Sequence, residues 1–441
     1  MTSQQVIRNY LLIAGIYTLS ASVIWGVNTL FLLDAGLTIF EVFVANAFFT
    51  LGMVLFEIPT GVIADTQGRR ASFLLSVLVL AAGTSGYVGL SMVGAGIGWF
   101  CAMSIVLGLG FTFYSGAVEA WLVDALNETG FDDNLDQVFA RGSMVTGGAM
   151  LVGTVGGGVL GSIDLAIPFV VRASLLITVF FVAYRTMHDI GFTPHPVKLN
   201  AMWSEMSKIA RNSVVYGWQE RPIKLLIIAS TIHGAFMTWG FYAWQPYFLE
   251  LLQRDAVWVA GVVAAGISIS MIIGNSIVDY ATRFCGKRTT LLIIAAGVQS
   301  VAIIGIGLAN SFWVAAACLL VSTGTFGVIM PVRQAYIHKI IPSEQRATVV
   351  SFDSMVSNIG SVGGQSGLGY LSQVRSISSG YVAGGLFSFL AIPVFVAVRG
   401  LQHPADHIIG RGGKASSHAG QGIPVVAHID STVVQPLEGE V

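Results

Sequence analysis

Long apolar runs alternate with short polar breaks along most of the chain. The breaks contain glycine, proline, asparagine or clustered charges, which interrupt apolar helices. The apolar runs lie near residues 9–34, 38–62, 71–92, 97–125, 137–161, 165–184, 223–251, 255–280, 289–309, 311–338, 347–372 and 380–399. A helix needs about 20 apolar residues to cross a bilayer, so each run is long enough for one crossing. The pattern predicts an all-α membrane protein with twelve transmembrane helices.

Polar stretches divide this pattern into four parts. We assign residues 1–184 to an N-terminal six-helix bundle, 185–222 to a cytoplasmic linker, 223–400 to a C-terminal six-helix bundle and 401–441 to a disordered cytoplasmic tail. The linker carries apolar residues at helical spacing, which predicts an amphipathic helix on the inner membrane surface. Those residues are Met202, Met206, Ile209 and Val214.

Composition narrows the class of protein. Hydrophobic residues make up 54% of the 441 residues and charged residues only 10%, against about 25% charged residues in ordinary soluble proteins. This balance excludes a soluble enzyme and makes the lipid bilayer a partner. The 22 Lys and Arg residues nearly balance the 23 Asp and Glu residues, so the chain has no basic surplus of the kind that binds nucleic acid.

Cysteine and histidine give no sign of a cofactor. Cys101, Cys285 and Cys318 stand singly, without the spacing of a disulfide framework or a zinc site. His403 and His407 form an HxxxH pair in the polar tail, where a solvated segment is favoured over a metal site. We therefore expect no metal and no cofactor.

The distribution of positive charge predicts the orientation. Lys and Arg concentrate in one set of loops, and only Arg254 and Arg375 fall in the opposite set. Because positive loops stay in the cytoplasm, we expect both termini to be cytoplasmic. The compact loops favour a bacterial plasma membrane.

The two halves repeat short patterns in the same order. The sequence AWL at 120–122 matches AYI at 335–337, and GTVGG at 153–157 matches GSVGG at 360–364. Parallel six-helix repeats would produce this similarity, and such folds bind substrate between the halves near the middle of the bilayer. Chance similarity between apolar segments is the alternative.

The loop after the second run carries the sequence GVIADTQGRR at 61–70, preceded by FEIPT at 56–60. It resembles the G-x-x-x-D-x-x-G-R-K/R loop of the major facilitator superfamily, and the resemblance covers roughly residues 5–400. A second, degraded copy consists of Asp279 and GKR at 286–288. The resemblance implies two six-helix bundles that move small organic solutes by alternating access.

The same resemblance implies a gating role for the loop. Gly61 would allow two helices to approach closely, and Gly68 would allow a turn that few other residues tolerate. In the family, the Asp lies near the start of the eleventh helix and the Arg reaches an acid at the end of the fourth. The gating residues by this comparison are Gly61, Asp65, Gly68, Arg69, Arg70 and Asp124. We expect this set to hold the halves together in the outward-facing state; a merely solvated basic loop is the alternative.

Ionisable residues within the apolar runs are candidates for proton coupling, because charges are costly in a membrane. The candidates are Glu119, Glu57 and Asp353, with Glu119 favoured because the fourth helix lines the central cavity in this family. Arg333 aligns with Val118 beside Glu119, so it could pair with Glu119 across the halves or extend to the inner surface. Arg172 could bind an anionic group or a buried acid.

Polar and aromatic residues of the predicted spans suggest a cavity for aromatic or amphipathic solutes. The candidate cavity residues are Trp25, Asn28, Tyr114, Arg172, His233, Trp239, Tyr242 and Arg333. Aromatic belts at the membrane interfaces are the alternative for some of them.

The chain resembles the drug-efflux and proton-antiporter branch of the superfamily with two departures. Ser104 precedes Gly108 where those proteins have an arginine, and the fifth run keeps its glycines but lacks the branch's proline. We predict proton-coupled efflux by a monomer that moves small organic solutes and protons. Proton-coupled uptake or facilitated diffusion of a nutrient or chelate is the alternative. A membrane enzyme or an ATP-driven pump is disfavoured, since the chain has neither a clustered metal motif nor a P-loop.

Overall fold

The computed structural model describes residues 1–131, 135–192, 218, 220–253, 256–341 and 346–407. Within these ranges the regular secondary structure is helical, apart from one isolated bridge between Lys287 and His407. Each of the twelve predicted segments coincides with a helix or with a broken helix. We number these segments span 1 to span 12.

The first half of the chain forms spans 1 to 6. Span 1 is Ser3–Ser22 and Asn28–Asp34, span 2 is Ile39–Gln67, span 3 is Arg69–Met92, span 4 is Ile97–Tyr114 and Ala117–Glu128, span 5 is Leu135–Gly161 and span 6 is Ile167–Thr186. Span 1 is interrupted by turns at 23–27. Span 4 is interrupted at Ser115 and at Gly116, whose φ is +73°.

The second half forms spans 7 to 12. Span 7 is Arg221–Leu252, span 8 is Val257–Ser276 and Val278–Cys285, span 9 is Arg288–Leu308, span 10 is Phe312–Ile340, span 11 is Arg346–Val374 and span 12 is Ile377–Ser388 and Ala391–Gly400. Pro59, Pro246 and Pro331 lie inside spans 2, 7 and 10.

Ten of these segments are long and apolar enough to cross a membrane by length and mean hydropathy among the described residues. Spans 1 and 11 fall below that threshold. Span 1 carries Arg8 and Asn9 near its start and is broken in the middle, while span 11 is rich in Ser, Asn, Gln and Gly. Both pack against other spans, and small polar residues are tolerated where helices contact each other rather than lipid.

Three apolar clusters organise the spans. One lies within the first half and includes Phe73, Trp121 and Phe169, and a second lies within the second half and includes Leu292 and Phe395. The third joins the two halves, because it combines residues of spans 1 and 2 with residues of spans 7 to 10 and 12. Its members include Leu30, Phe43, Trp239, Ile303, Phe312 and Tyr381. The predicted all-α membrane fold with two six-helix bundles is confirmed.

The repeated glycine motifs make equivalent contacts in the two bundles. Gly157 of span 5 lies against the carbonyl of Val23 in span 1, and Gly364 of span 11 lies against the carbonyl of Ala235 in span 7. In both pairs an added Cβ would overlap the neighbouring backbone. Such small-residue contacts let membrane helices approach closely.

The region after span 12 differs from the prediction of a disordered tail that begins at residue 401. Pro404–Asp406 forms a 3-10 helix, and the Asp406 side chain is buried. Asp406 accepts hydrogen bonds from the backbone N–H and the hydroxyl of Thr289, at 2.8 and 2.7 Å. The remainder of the predicted tail and the predicted amphipathic helix at 202–214 lie outside the described residues.

Candidate functional site

A cavity of about 1030 Å³ lies between the two bundles. We call the end of the molecule where the first span begins the inner side, which the charge distribution predicts to be cytoplasmic. The cavity lining includes Ile58 near the inner end of span 2, His338 near the inner end of span 10 and Val350 near the inner start of span 11. An added Cβ on Gly61, one turn further inward, would meet no described atom within 4 Å. The cavity therefore opens towards the inner side.

The outer ends of the same bundles are in contact. The backbone N–H of Phe40 in span 2 donates to the side chain of Gln373 in span 11 at 3.3 Å. Closer to the middle, Gln365 donates to the hydroxyl of Thr50 at 3.2 Å. Spans 5 and 8 meet where Gly158 faces Gly261, and an added Cβ on Gly158 would lie 2.7 Å from the Gly261 Cα. The structure is thus closed on the outer side and open on the inner side.

Most of the cavity wall is apolar and adaptable. Six methionines contribute to it: Met53, Met150, Met237, Met271, Met330 and Met355. The aromatic residues of the wall are Trp25, Phe111, Phe241, Tyr242 and Phe326. Methionine side chains are flexible and polarisable, so they fit apolar molecules of different shapes. The wall is suited to amphipathic or aromatic molecules of small to medium size.

The polar part of the wall contains a buried ion pair. Arg333 of span 10 donates from Nη1 to Oδ1 of Asp353 in span 11 at 2.8 Å, and the two side chains are only 5% and 9% exposed. A buried charge needs such a partner, since an isolated one is strongly disfavoured in an apolar environment. The expectation that Arg333 pairs with Glu119 across the halves is therefore wrong. Extension of Arg333 to the inner surface is wrong too, because its side chain is buried.

Glu57 of span 2 also lines the cavity. It is exposed, and its carboxylate has no hydrogen-bond or ion-pair partner among the residues that the structure describes. The Arg333–Asp353 pair is neutral as a whole. When the histidines of the cavity wall are neutral, the cavity therefore has a net negative charge, which comes from Glu57.

The structure brings together only some of the predicted cavity residues. Trp25, His233, Tyr242 and Arg333 line the cavity, as do Glu57 and Asp353 from the proton-coupling set. His233 is held by a 2.8 Å hydrogen bond between its Nδ1 and the carbonyl of Ala229.

The other predicted cavity residues pack elsewhere. Asn28 donates to Asn46 at 3.2 Å, and Tyr114 stacks on Tyr17 with ring centroids 3.7 Å apart. Trp239 is fully buried in the cluster that joins the bundles. Arg172 interacts electrostatically with three tyrosines and has no acidic partner within the described ranges. Those tyrosines are Tyr17, Tyr87 and Tyr242.

Glu119 is absent from the cavity wall that the described residues form. The break in span 4 comes before it, so its helix, Ala117–Glu128, starts again at Gly116 with a left-handed backbone. Glu119 lies in the first turn of this helix and is exposed. No proline marks this break, so the sequence does not show that the helix starts again at Gly116.

In the motif at 61–70, at the inner side, the ion pair forms between two residues of the motif itself. Arg69 pairs with Asp65 at 2.8 Å, four residues earlier, and half of the Asp65 side chain is exposed. Asp124 takes part in neither of the two ion pairs found among the described residues. Gly61 makes no close helix contact here, in contrast to the expectation. In this inward-open arrangement the motif does not connect the two bundles.

Gly68 and Arg70 define the start of span 3. Gly68 has φ +101°, and an added Cβ would collide with the carboxylate of Asp189. That carboxylate accepts a hydrogen bond from the backbone N–H of Arg70 at 2.9 Å, which satisfies one of the free donors at the helix N-terminus. The Arg70 side chain donates to the carbonyl of Tyr184 at 2.8 Å and lies over its ring. The segment after span 6 thus fixes the start of span 3.

The second half repeats this arrangement at the degraded copy of the motif. Asp406, after span 12, binds the start of span 9 at Thr289, and Arg288 donates to the carbonyls of Ala405 and His407 at 2.6 and 3.0 Å. Neither Asp189 nor Asp406 belongs to the motifs that the sequence shows. The available signal was an aspartate within a few residues of the end of the sixth span of each half: Asp189 follows Thr186, and Asp406 follows Gly400.

Comparisons with known proteins agree with this architecture. The sequence model of the Major Facilitator Superfamily matches residues 10–284 and 258–423. A Bacillus subtilis (strain 168) protein described as the uncharacterized MFS-type transporter YxaM is 20% identical over 384 residues. That alignment covers 84% of this chain and 90% of the Bacillus protein.

Two solved structures share the fold. The crystal structure of the nucleoside transporter NupG superposes with a TM-score of 0.73 at 9% identity, covering 89% of this chain and 99% of that one. A POT family transporter in complex with 5-aminolevulinic acid superposes with a TM-score of 0.69 at 10% identity, covering 91% and 99%. At this level of identity the likeness concerns the fold.

Proposed function

This chain belongs to the Major Facilitator Superfamily, and from that membership we propose that it is a proton-coupled exporter of amphipathic organic solutes. As a member of the family it is a multi-pass membrane protein, a secondary transporter of small solutes and not an enzyme. The proposal concerns the class of solute, the coupling ion and the direction. The observation that carries it is the large, methionine-rich cavity, in which the Glu57 carboxylate has no partner among the described residues.

The cavity supports a preference for amphipathic solutes. An apolar wall with flexible methionines can contact aromatic groups of different sizes with little strain. Glu57 adds a negative charge that has no partner in the described structure, so a solute with a positive group would gain an ion pair in the cavity. We propose that the favoured solutes are cationic or neutral amphipathic molecules.

The carboxylates of the cavity support proton coupling. Asp353 is buried and paired with Arg333, whereas Glu57 is accessible from the inner side and has no partner in the part of the chain that the structure describes. A proton and a cationic solute would compete for the Glu57 carboxylate, because both neutralise the same charge. Competition of this kind couples export of the solute to entry of protons. Glu119 is a weaker candidate for proton coupling, since it lies outside the described cavity wall.

We expect Glu57→Gln to weaken binding of the cation ethidium about tenfold, since one ion pair in a partly wet site is lost. Binding of neutral chloramphenicol should change little. Equilibrium dialysis with the purified protein measures both affinities. Glu250→Gln is the matched control, because Glu250 is also exposed but lies at the outer end of span 7. Equal losses for both solutes, or an equal effect of the control, would contradict the assigned role.

The direction can be tested in inverted vesicles. With an acidic interior, an antiporter accumulates ethidium as protons leave, whereas a proton symporter is driven in the opposite sense. Accumulation that requires the acidic interior supports the proposal. Accumulation only under the reversed gradient supports uptake, and transport that ignores the gradient removes proton coupling.

The motif at 61–70 is proposed to act in the opposite state, when the inner ends of the bundles meet. In the inward-open structure Asp65 is half exposed, and Arg69 is its ion-pair partner among the described residues, so its removal should have little effect on this state. The start of span 11 lies across the open cavity, where a helix N-terminus favours an anion. We propose that Asp65 contacts that terminus when the inner side closes.

We therefore expect Asp65→Asn to lower turnover about tenfold while leaving expression and thermal stability unchanged, because only the closed inner side loses a contact. Initial rates of ethidium transport in vesicles of matched protein content measure the effect. Asp279→Asn tests the degraded copy of the motif, where a smaller effect is expected. Normal turnover of Asp65→Asn at normal expression would exclude the gating role.

A further inference from the structure

Span 1 is broken on the outer side of the cavity, and the break is filled by a side chain of the other bundle. In a continuous helix the N–H of Thr29 would donate to the carbonyl of Trp25, four residues earlier. Here the turns at 23–27 separate these two groups. The N–H of Thr29 donates instead to Oε1 of Gln245 in span 7 at 2.8 Å, and Nε2 of Gln245 donates to the carbonyl of Trp25 at 2.8 Å. The amide of Gln245 is inserted into one helical hydrogen bond.

Span 7 has a complementary defect next to Gln245. Pro246 has no N–H, so it leaves the carbonyl of Tyr242 without its helical donor. The hydroxyl of Thr29 donates to this carbonyl at 3.0 Å. Each span therefore satisfies a main-chain group that the other leaves free. Gln245 is fully buried, so water cannot replace these contacts while the outer side is closed.

We propose that Gln245 is the positioning residue of the outer gate. Its amide holds span 1 broken and the outer side closed in the inward-open state. When the bundles separate on the outer side, Gln245 leaves, and Thr29 can then donate to Trp25 directly. The N–H of Thr29 and the carbonyl of Trp25 are thus satisfied in both states, so opening the gate strands neither of these two groups in the membrane. Span 1 is broken when the gate is closed and continuous when it is open.

This role follows from main-chain chemistry alone and holds for any solute or coupling ion. A purely structural role is the competing explanation, in which Gln245 fills a permanent break and does not move. The two explanations differ in the population of the outward-open state. If Gln245 is a gate residue, removing its amide shifts the equilibrium towards outward-open molecules; if it is structural, folding suffers without such a shift.

The test is a distance measurement across the outer side. Spin labels at Asp34→Cys and Glu250→Cys, both exposed at the outer ends of spans 1 and 7, report separation of the bundles by double electron–electron resonance. The labels are placed in a protein whose Cys101, Cys285 and Cys318 are replaced by alanine. Gln245→Met keeps the side-chain volume but cannot form either hydrogen bond. We expect the ratio of long to short distances to rise about tenfold, from the loss of two hydrogen bonds of ordinary strength.

Gln299→Ala is the matched control, because Gln299 is also buried but donates within one bundle, to the carbonyl of Ser322 at 3.5 Å. It should leave the ratio unchanged. A native distribution for Gln245→Met, or an equal shift for Gln299→Ala, would overturn the proposal.

Thr29→Val keeps the test informative if the Gln245 variant does not fold. Removing the Thr29 hydroxyl should raise the ratio of long to short distances about threefold, since one hydrogen bond is lost. Pro246→Ala supplies the missing N–H to Tyr242, so the effect of Thr29→Val should become smaller in that background. An unchanged effect would show that the Thr29 hydroxyl does not act through the Tyr242 carbonyl, which contradicts the proposed gate.

Discussion

Gly364→Ala should prevent accumulation of folded protein, whereas Gly363→Ala should have little effect. The Cβ added at Gly364 would overlap the backbone carbonyl of Ala235 in span 7, and that carbonyl cannot move away as a flexible side chain would. Overpacking of a well-packed interior is destabilising by about 1–3 kcal/mol, and contact with rigid backbone raises the penalty. At Gly363 the same methyl group meets no described atom within 4 Å.

The first bundle provides an independent copy of this experiment. Gly157→Ala would place a methyl group against the carbonyl of Val23, while Gly156→Ala would place one in open space. Fluorescence-detected size-exclusion chromatography measures the yield of folded protein, and the midpoint of thermal unfolding measures its stability. Similar yields for the two members of each pair would contradict the close contacts of spans 5 with 1 and 11 with 7.

The glycine motifs also show why much of the fold could be predicted from the sequence. The number and order of the spans follow from the length and spacing of the apolar runs, which are one-dimensional properties of a membrane chain. The repeat was visible because GTVGG and GSVGG stand in equivalent runs. Equivalent contacts follow when two bundles have the same order of helices.

The candidate site was less predictable because it depends on the rotation of each helix. Trp239 and Tyr242 are three residues apart in span 7, yet Trp239 is buried between the bundles and Tyr242 lines the cavity. Hydropathy does not distinguish these faces, since both are apolar. No proline marks the breaks in spans 1 and 4, so the sequence does not show that the helix carrying Glu119 starts again at Gly116.

Contacts between distant segments cannot be predicted from the sequence either. Asp406 binds the start of span 9 across more than a hundred residues of chain, and Gln245 binds span 1 from span 7. Pro246 is the one sequence signal for the contact between spans 1 and 7, because a proline there predicts a free carbonyl at Tyr242. Which donor satisfies that carbonyl depends on the packing of the bundles.

The buried ion pair of the cavity gives the other large expected effect. Asp353→Asn leaves the buried guanidinium of Arg333 without its charge partner, and Arg333→Gln leaves the carboxylate of Asp353 without its own. Removing one member of a buried pair destabilises a protein by about 3–5 kcal/mol. We expect each single variant to lower the thermal unfolding midpoint strongly and to lose proton-driven transport.

The double variant Arg333→Gln with Asp353→Asn separates stability from coupling. It leaves no lone buried charge, so stability should return close to that of the native protein. If the pair carries protons, the double variant should exchange ethidium across the membrane but should no longer respond to a proton gradient. If the pair has only a structural role, the double variant should show normal proton-driven transport once its stability has returned.

The exposed pair of Arg69 and Asp65 supplies the control for this stability argument. Its atoms are also 2.8 Å apart, but half of the Asp65 side chain is exposed, and exposed pairs contribute about 1 kcal/mol or less. Arg69→Gln should therefore shift the unfolding midpoint far less than Arg333→Gln. Equal shifts would mean that water reaches the buried Arg333–Asp353 pair as freely as it reaches the exposed Arg69–Asp65 pair. Asp353 would then exchange protons with the inner solution at all times, without a gate.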